Sequence, residues 1–166
     1  MKRNLITVIL LMVLLISTAT TCQDKENKNC HISIRFSNNS EKNLYVRSVH
    51  YIPRYPFASE VEYIHSTVQS HYKVYSGEQD NRDAMFDGSC LEYYFEDNDY
   101  YSDTHIVYIF DAAVVENTAW EIVARDYLVL KRYDLTLEDL QLLDWKITYP
   151  PTEAMKDVKQ WPSYGE

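Results

Sequence analysis

Thr104-His105-Ile106-Val107-Tyr108-Ile109-Phe110-Asp111 is the most apolar candidate strand of the chain, with Ile106 to Phe110 apolar or aromatic in succession. Side chains alternate between the two faces of a sheet, so near-continuous apolarity means that both faces are covered and that this strand lies centrally. Strands nearer the edges of such a sheet should carry an alternating pattern.

Upstream, Cys30, Ile32, Ile34 and Phe36 alternate with His31, Ser33, Arg35 and Ser37, which predicts a half-buried strand ended by Asn38-Asn39-Ser40. Leu44 to Val49 reads as the next strand, and the polar connection between the two suggests a hairpin. In Tyr51-Ile52-Pro53-Arg54-Tyr55-Pro56-Phe57 two prolines lack amide donors, so this segment is expected as an aromatic loop. Weaker strand signals occupy Glu62 to Val68 and His71 to Ser76, Gly77 to Gly88 reads as a long surface loop, and Cys90 to Glu96 as a further strand.

Downstream the period changes. Thr118-Ala119-Trp120-Glu121 has the form of a capping box, and Trp120, Val123, Ala124 and Tyr127 follow at helical spacing, so a short amphipathic helix should turn Trp120 inward. Tyr127 to Lys131 reads as a strand, Thr136-Leu137-Glu138-Asp139 caps a second short helix bearing Leu137, Leu140 and Leu143, and Trp145, Ile147 and Tyr149 alternate until Pro150-Pro151 stops them. Many short strands with turn signals predict a mainly β fold: an antiparallel β-sandwich, resembling immunoglobulin-like sandwiches at the level of pattern, with two short helices in its C-terminal third.

The amino terminus reads as a targeting segment. Lys2 and Arg3 precede a run of twelve residues, Leu5 to Ile16, that is too short to span a bilayer and suits the h-region of a cleaved signal. Ser17-Thr18-Ala19 would suit an ordinary signal peptidase and leave a soluble chain. Thr18-Ala19-Thr20-Thr21-Cys22 instead resembles the lipobox of bacterial lipoproteins, although those favour Leu where this chain has Ala19 and a smaller residue where it has Thr21. That resemblance implies diacylglycerol on Cys22 after removal of residues 1–21. Gln23 to Asn29 is polar throughout, cannot bury enough surface to order itself, and is expected as a tether over residues 22–29. The folded domain then runs over 30–151, and 152–166 is a C-terminal tail.

Cysteine parity agrees with lipidation. With Cys22 acylated, Cys30 and Cys90 can pair in an oxidising compartment, the alternative being two free buried thiols. A bridge closing a loop of about sixty residues removes about 4 kcal/mol of unfolded-state freedom in the chain-entropy model. Loss of Lys2 and Arg3 takes the formal charge from −9 to −11 over 145 residues, one domain's length, which argues against nucleic acid or anionic headgroups as ligands.

Phe36-Ser37-Asn38-Asn39-Ser40, Ile109-Phe110-Asp111-Ala112, and Leu130-Lys131-Arg132-Tyr133-Asp134-Leu135-Thr136-Leu137-Glu138-Asp139-Leu140 running into Trp145 and Tyr149-Pro150-Pro151 together resemble small uncharacterised cell-envelope lipoproteins of Gram-negative gut anaerobes. The resemblance covers most of the mature chain and is looser between Tyr51 and Gly88. It implies an outer-membrane lipid anchor and carries over no functional residues. Gln23, Asp24 and Glu26, interrupted by Lys25, also resemble the surface-export signal of such lipoproteins, so both the surface and the periplasmic leaflet stay open.

Enzyme signatures are missing from the sequence. It has no GxSxG, GxxxxGK[ST] or HExxH motif, and three glycines leave little for phosphate-cradling turns. His31, His50, His65, His71 and His105 lack ligand spacing, and Glu92 with Glu96 would need a deep cleft to act as a carboxylate pair. Glu96 to Asp103 is acidic enough for calcium, but Tyr101 and Ser102 occupy places where a ligand and the turn glycine belong. Arg132-Tyr133-Asp134 is expected to set a turn, with Arg132 paired to a carboxylate and Tyr133 at the core edge. No cofactor or metal is expected.

Fifteen tyrosines suit strands, yet those at Tyr51 and Tyr55, beside Phe57, and at Tyr100 and Tyr101 could cluster outside, where an amphipathic ring stacks on sugar or protein. The function expected is a non-enzymatic, lipid-anchored envelope binding protein for a protein or glycan ligand. The alternatives are an anchored immunity-type inhibitor of a basic toxin and a small hydrolase. Mass spectrometry of the native protein should find acyl chains on Cys22 as the first residue; an unacylated terminus downstream of it would overturn the anchor.

Overall fold

A computed structural model of the chain describes residues 30–50, 73–80, 90–96 and 103–166. Met1–Cys30 separates from a second unit, His31–Glu166, which holds every element named here. In chain order these are β1 (Arg35–Asn38), β2 (Leu44–His50), β3 (Lys73–Val74), β4 (Gln79–Asp80), α1 (Leu91–Glu96), β5 (His105–Asp111), α2 (Ala112–Asn117), α3 (Trp120–Arg125), β6 (Lys131–Leu135), α4 (Leu137–Leu142), β7 (Lys146–Tyr149), a 3-10 turn (Glu153–Met155) and β8 (Lys159–Trp161).

β5 is the middle strand of a five-stranded antiparallel sheet ordered β3-β2-β5-β6-β8. Its burial explains its composition. Val107 and Ile109 face a cluster that also holds Leu44 and Val46 of β2, Tyr133 and Leu135 of β6, Phe36 of β1 and Ile147 of β7. Ile106, Tyr108 and Phe110 point the other way, into a second cluster with Tyr45, Ala112, Val123 and Val129, against which Trp120 and Tyr127 pack. One face of the sheet is thus covered by α2 and α3, and on the other it shares a core with β1, β7, α1 and α4.

The fold is sheet-rich, as expected, but it is mixed, and it contains four short helices among the described residues. β1 and β2 form no hairpin. β1 lies between β4 and β7 in a separate three-stranded sheet and runs parallel to β7, which is possible because the chain between those two strands passes through most of the domain. Asn38 makes that departure work: its buried carboxamide donates to the carbonyls of Lys42 (2.7 Å), Val74 (3.3 Å) and Tyr75 (3.1 Å) and accepts from the Ser40 amide.

Cys90 to Glu96, expected as a strand, is helical over Leu91–Glu96. Leu91 and Phe95, four residues apart, are both buried while Tyr93 between them is exposed, so period four wins over the apparent alternation. α2 was not anticipated; Asp111 caps it by accepting from the Ala113 amide. α3 exists, yet its N-cap is Ala119 without a side-chain bond, so the capping box at Thr118 does not form. α4 carries the expected box, with the Thr136 hydroxyl accepting from the Asp139 amide and the Asp139 carboxylate accepting from the Thr136 amide. The strand expected over Tyr127 to Lys131 falls instead on Lys131–Leu135, because Tyr127 ends α3 in the left-handed region at φ 49°. The segment 152–166, expected as a tail, supplies the 3-10 turn and edge strand β8.

Cys30 and Cys90 are joined in a disulfide. Beside it His31 stacks on the Trp145 indole at 4.0 Å and pairs through Nδ1 with Glu92 at 2.5 Å. Ile109→Ala should cost about 2–5 kcal/mol, the range for emptying a buried aliphatic site, whereas Leu142→Ala, at an exposed position of α4, should stay within about 0.5 kcal/mol; urea midpoints separate the two.

Candidate functional site

β6 presents two different surfaces because its side chains alternate. Tyr133 and Leu135 enter the core, and the Tyr133 hydroxyl, pushed well up from its ordinary pKa by burial, donates to the Thr148 carbonyl at 2.8 Å. Arg132 and Asp134 project from the opposite face. Antiparallel register places Trp161 beside Arg132 and Lys159 beside Asp134, giving a two-by-two grid of side chains on one face.

These four residues, with Tyr127 and Gln160, line an open groove of about 380 Å³. Its floor is an ion-pair network. Arg132 grips Asp134 with two hydrogen bonds, Nε to Oδ1 at 2.5 Å and a terminal nitrogen to Oδ2 at 3.2 Å, and its guanidinium lies over the Tyr108 ring at 5.5 Å. Desolvation works against the Arg132 charge, but the hydrogen bonds it donates to Asp134 and Tyr127 outweigh this and raise the pKa above its ordinary value. Lys159 reaches the same carboxylate at 2.9 Å from a side chain that is 82% exposed, while that of Asp134 is 8% exposed.

The wall is aromatic. Tyr127 meets Trp161 edge-on at 4.9 Å and 74°, and Trp161 remains 47% exposed. Tyr127 holds this place through backbone strain. Its amide bonds the Ala124 carbonyl and that of Leu128 bonds the Val123 carbonyl, the Schellman closure of α3, in which the left-handed position normally belongs to glycine. A tyrosine there costs about 1–2 kcal/mol that a glycine would not.

A second recess of about 260 Å³ lies beside Lys131, lined by Tyr149, Pro150, Pro151 and Tyr164 among others. Burial lowers the Lys131 pKa, against an opposing effect of Glu166, and its ammonium donates to the carbonyls of Pro162 and Ser163. This lysine ties the C-terminal segment to β6.

Cys22 and the loop residues Tyr51, Tyr55, Phe57, Tyr100 and Tyr101 lie outside the described residues. Arg132-Tyr133-Asp134 behaves partly as expected: Arg132 pairs with a carboxylate, Asp134 itself, and Tyr133 is core. The three sit in a strand and not in a turn. Tyr127 is expected only as a helix-face or strand residue, and nothing in the sequence marks Lys159 or Trp161 as site residues. The alternation of Lys159 and Trp161 resembles that of Arg132 and Asp134, but no local signal pairs the two segments. Glu92 is engaged by His31, and among the described residues no group of three or more His, Cys, Asp or Glu is placed to hold a metal ion. Among these residues no helix is long and apolar enough to cross a membrane.

No protein-family model, no curated protein and no solved structure matches the chain.

Asp134→Ala should destabilise the domain by about 1–3 kcal/mol, because it strips a partly buried guanidinium of its partner, whereas Lys159→Ala should cost less than about 1 kcal/mol. Thermal unfolding of both variants checks this contrast.

Proposed function

We propose that this chain is a non-enzymatic binding protein, tethered to the cell envelope by lipid on Cys22, that captures its ligand in the groove between Tyr127, β6 and β8. We read its two sheets as the layers of a sandwich, a reading supported by the core they share. The anchor is supported by the Leu5 to Ile16 run, its small-residue collar and the position of Cys22, together with the resemblance to small envelope lipoproteins.

One observation carries the placement of the ligand. Tyr127 occupies a glycine position and closes an aromatic corner with the half-exposed Trp161, directly beside a charged network. Strain retained where glycine would relieve it is typical of residues kept for what their side chains do. Rings with an apolar body, next to a few fixed polar groups, suit recognition more than chemistry.

Tyr127→Gly tests this directly. Relief of the left-handed strain offsets part of the lost packing on the second cluster and of the lost hydrogen bond from Arg132, so the melting temperature should fall by only a few degrees, while capture of envelope material by the full-length protein in detergent should fall about tenfold or more, as it should for Trp161→Ala. Undiminished saturable capture by both variants would reject the groove.

A further inference from the structure

The groove's charge and shape narrow what can occupy it. Two cations, Arg132 and Lys159, share the single carboxylate of Asp134, so the lining residues carry one positive charge in excess within a chain of net charge −9. The excess sits on Lys159, which projects into solvent from the same face of β8 as Trp161, two residues on. An ammonium has three donors, and among the described residues Asp134 takes one of them. A compact cation thus stands beside an exposed indole.

We propose that this groove binds an acidic saccharide, a pyranose whose apolar face stacks on Trp161 and whose carboxylate is met by Lys159. The proposal rests on the groove reading and names its ligand class. The C–H face of a pyranose presents slightly positive hydrogens to the negative face of the indole, which is the sense of the aromatic quadrupole. The carboxylate on the ring then reaches the ammonium, while the Arg132–Asp134 pair beneath it is already locked by two hydrogen bonds and needs no ordering on binding.

An acidic peptide shares the charge but fits the edge poorly. A peptide added to β8 as a new strand would find three residues, Lys159–Trp161, followed by Pro162, which has no amide to donate. The lining groups that remain are side chains beside the Tyr127–Trp161 aromatic corner.

Titration calorimetry on the full-length protein in detergent decides the matter. The probes are trigalacturonic acid and sialyllactose, each against its neutral counterpart, galactotriose and lactose, with hexaglutamate as the peptide control. At least one acidic sugar should bind about tenfold more tightly than its neutral counterpart and than hexaglutamate; Lys159→Glu should erase the preference for acid, and Trp161→Ala should weaken acidic and neutral sugars alike. Equal affinity for acidic and neutral sugars, hexaglutamate binding as tightly as the acidic sugars, or no sugar binding would each overturn the proposal. Where sugars fail while capture of envelope material still depends on Tyr127 and Trp161, the ligand class falls and the groove stands; where that dependence is also lost, both fall.

Discussion

Burial of β5 on both faces is the constraint from which the rest of this domain follows. A strand with Val107 and Ile109 on one side and Ile106, Tyr108 and Phe110 on the other exposes apolar surface whichever way it lies, so two separate layers must be built against it. The chain supplies them from different places. α2 and α3 follow β5 directly and fold back over one face. The opposite face draws on β1 and α1 from before it and on α4 and β7 from after it.

The groove is a by-product of how that cover ends. Past Tyr127 the helical layer stops, yet β6 and β8 extend the sheet, so the outward residues of these two strands lie beyond the apolar cluster. Polar groups are tolerable there only if paired. Arg132 meets this condition by lying over Tyr108 at the rim of the cluster while binding Asp134 on its other side. The same pair that finishes the sheet fixes the polar side of a recess, and the end of α3 supplies the aromatic side.

Left-handed backbone recurs at the points where the chain turns from a helix back into a sheet. Tyr127 closes α3, and Asp144 with Trp145 closes α4, where the amides of both residues return to the carbonyls of Gln141 and Leu140. The purpose of the strain differs between the two. At Trp145 it delivers a buried indole beneath His31, next to the Cys30–Cys90 bridge, and so serves packing. At Tyr127 it delivers a half-buried ring to the margin of the second cluster, where one side packs on the core and the other lines the groove.

Sequence alone determined those features that depend on neighbours in the chain: the central place of β5, the second strand from Leu44, the capped helix after Thr136 and the candidate pairing of Cys30 with Cys90. Each is set by local spacing or by parity. It misjudged Leu91 to Phe95, where alternation and helical spacing coincide and only the position of the core decides between them. It also could not pair β1 with β7 or β6 with β8, because nothing local records which distant strand completes a ladder. The groove depended wholly on that pairing. Arg132 and Asp134 become part of a groove only once Lys159 and Trp161 lie opposite, and this was decided by the tertiary structure, through the need of β6 to satisfy its second edge.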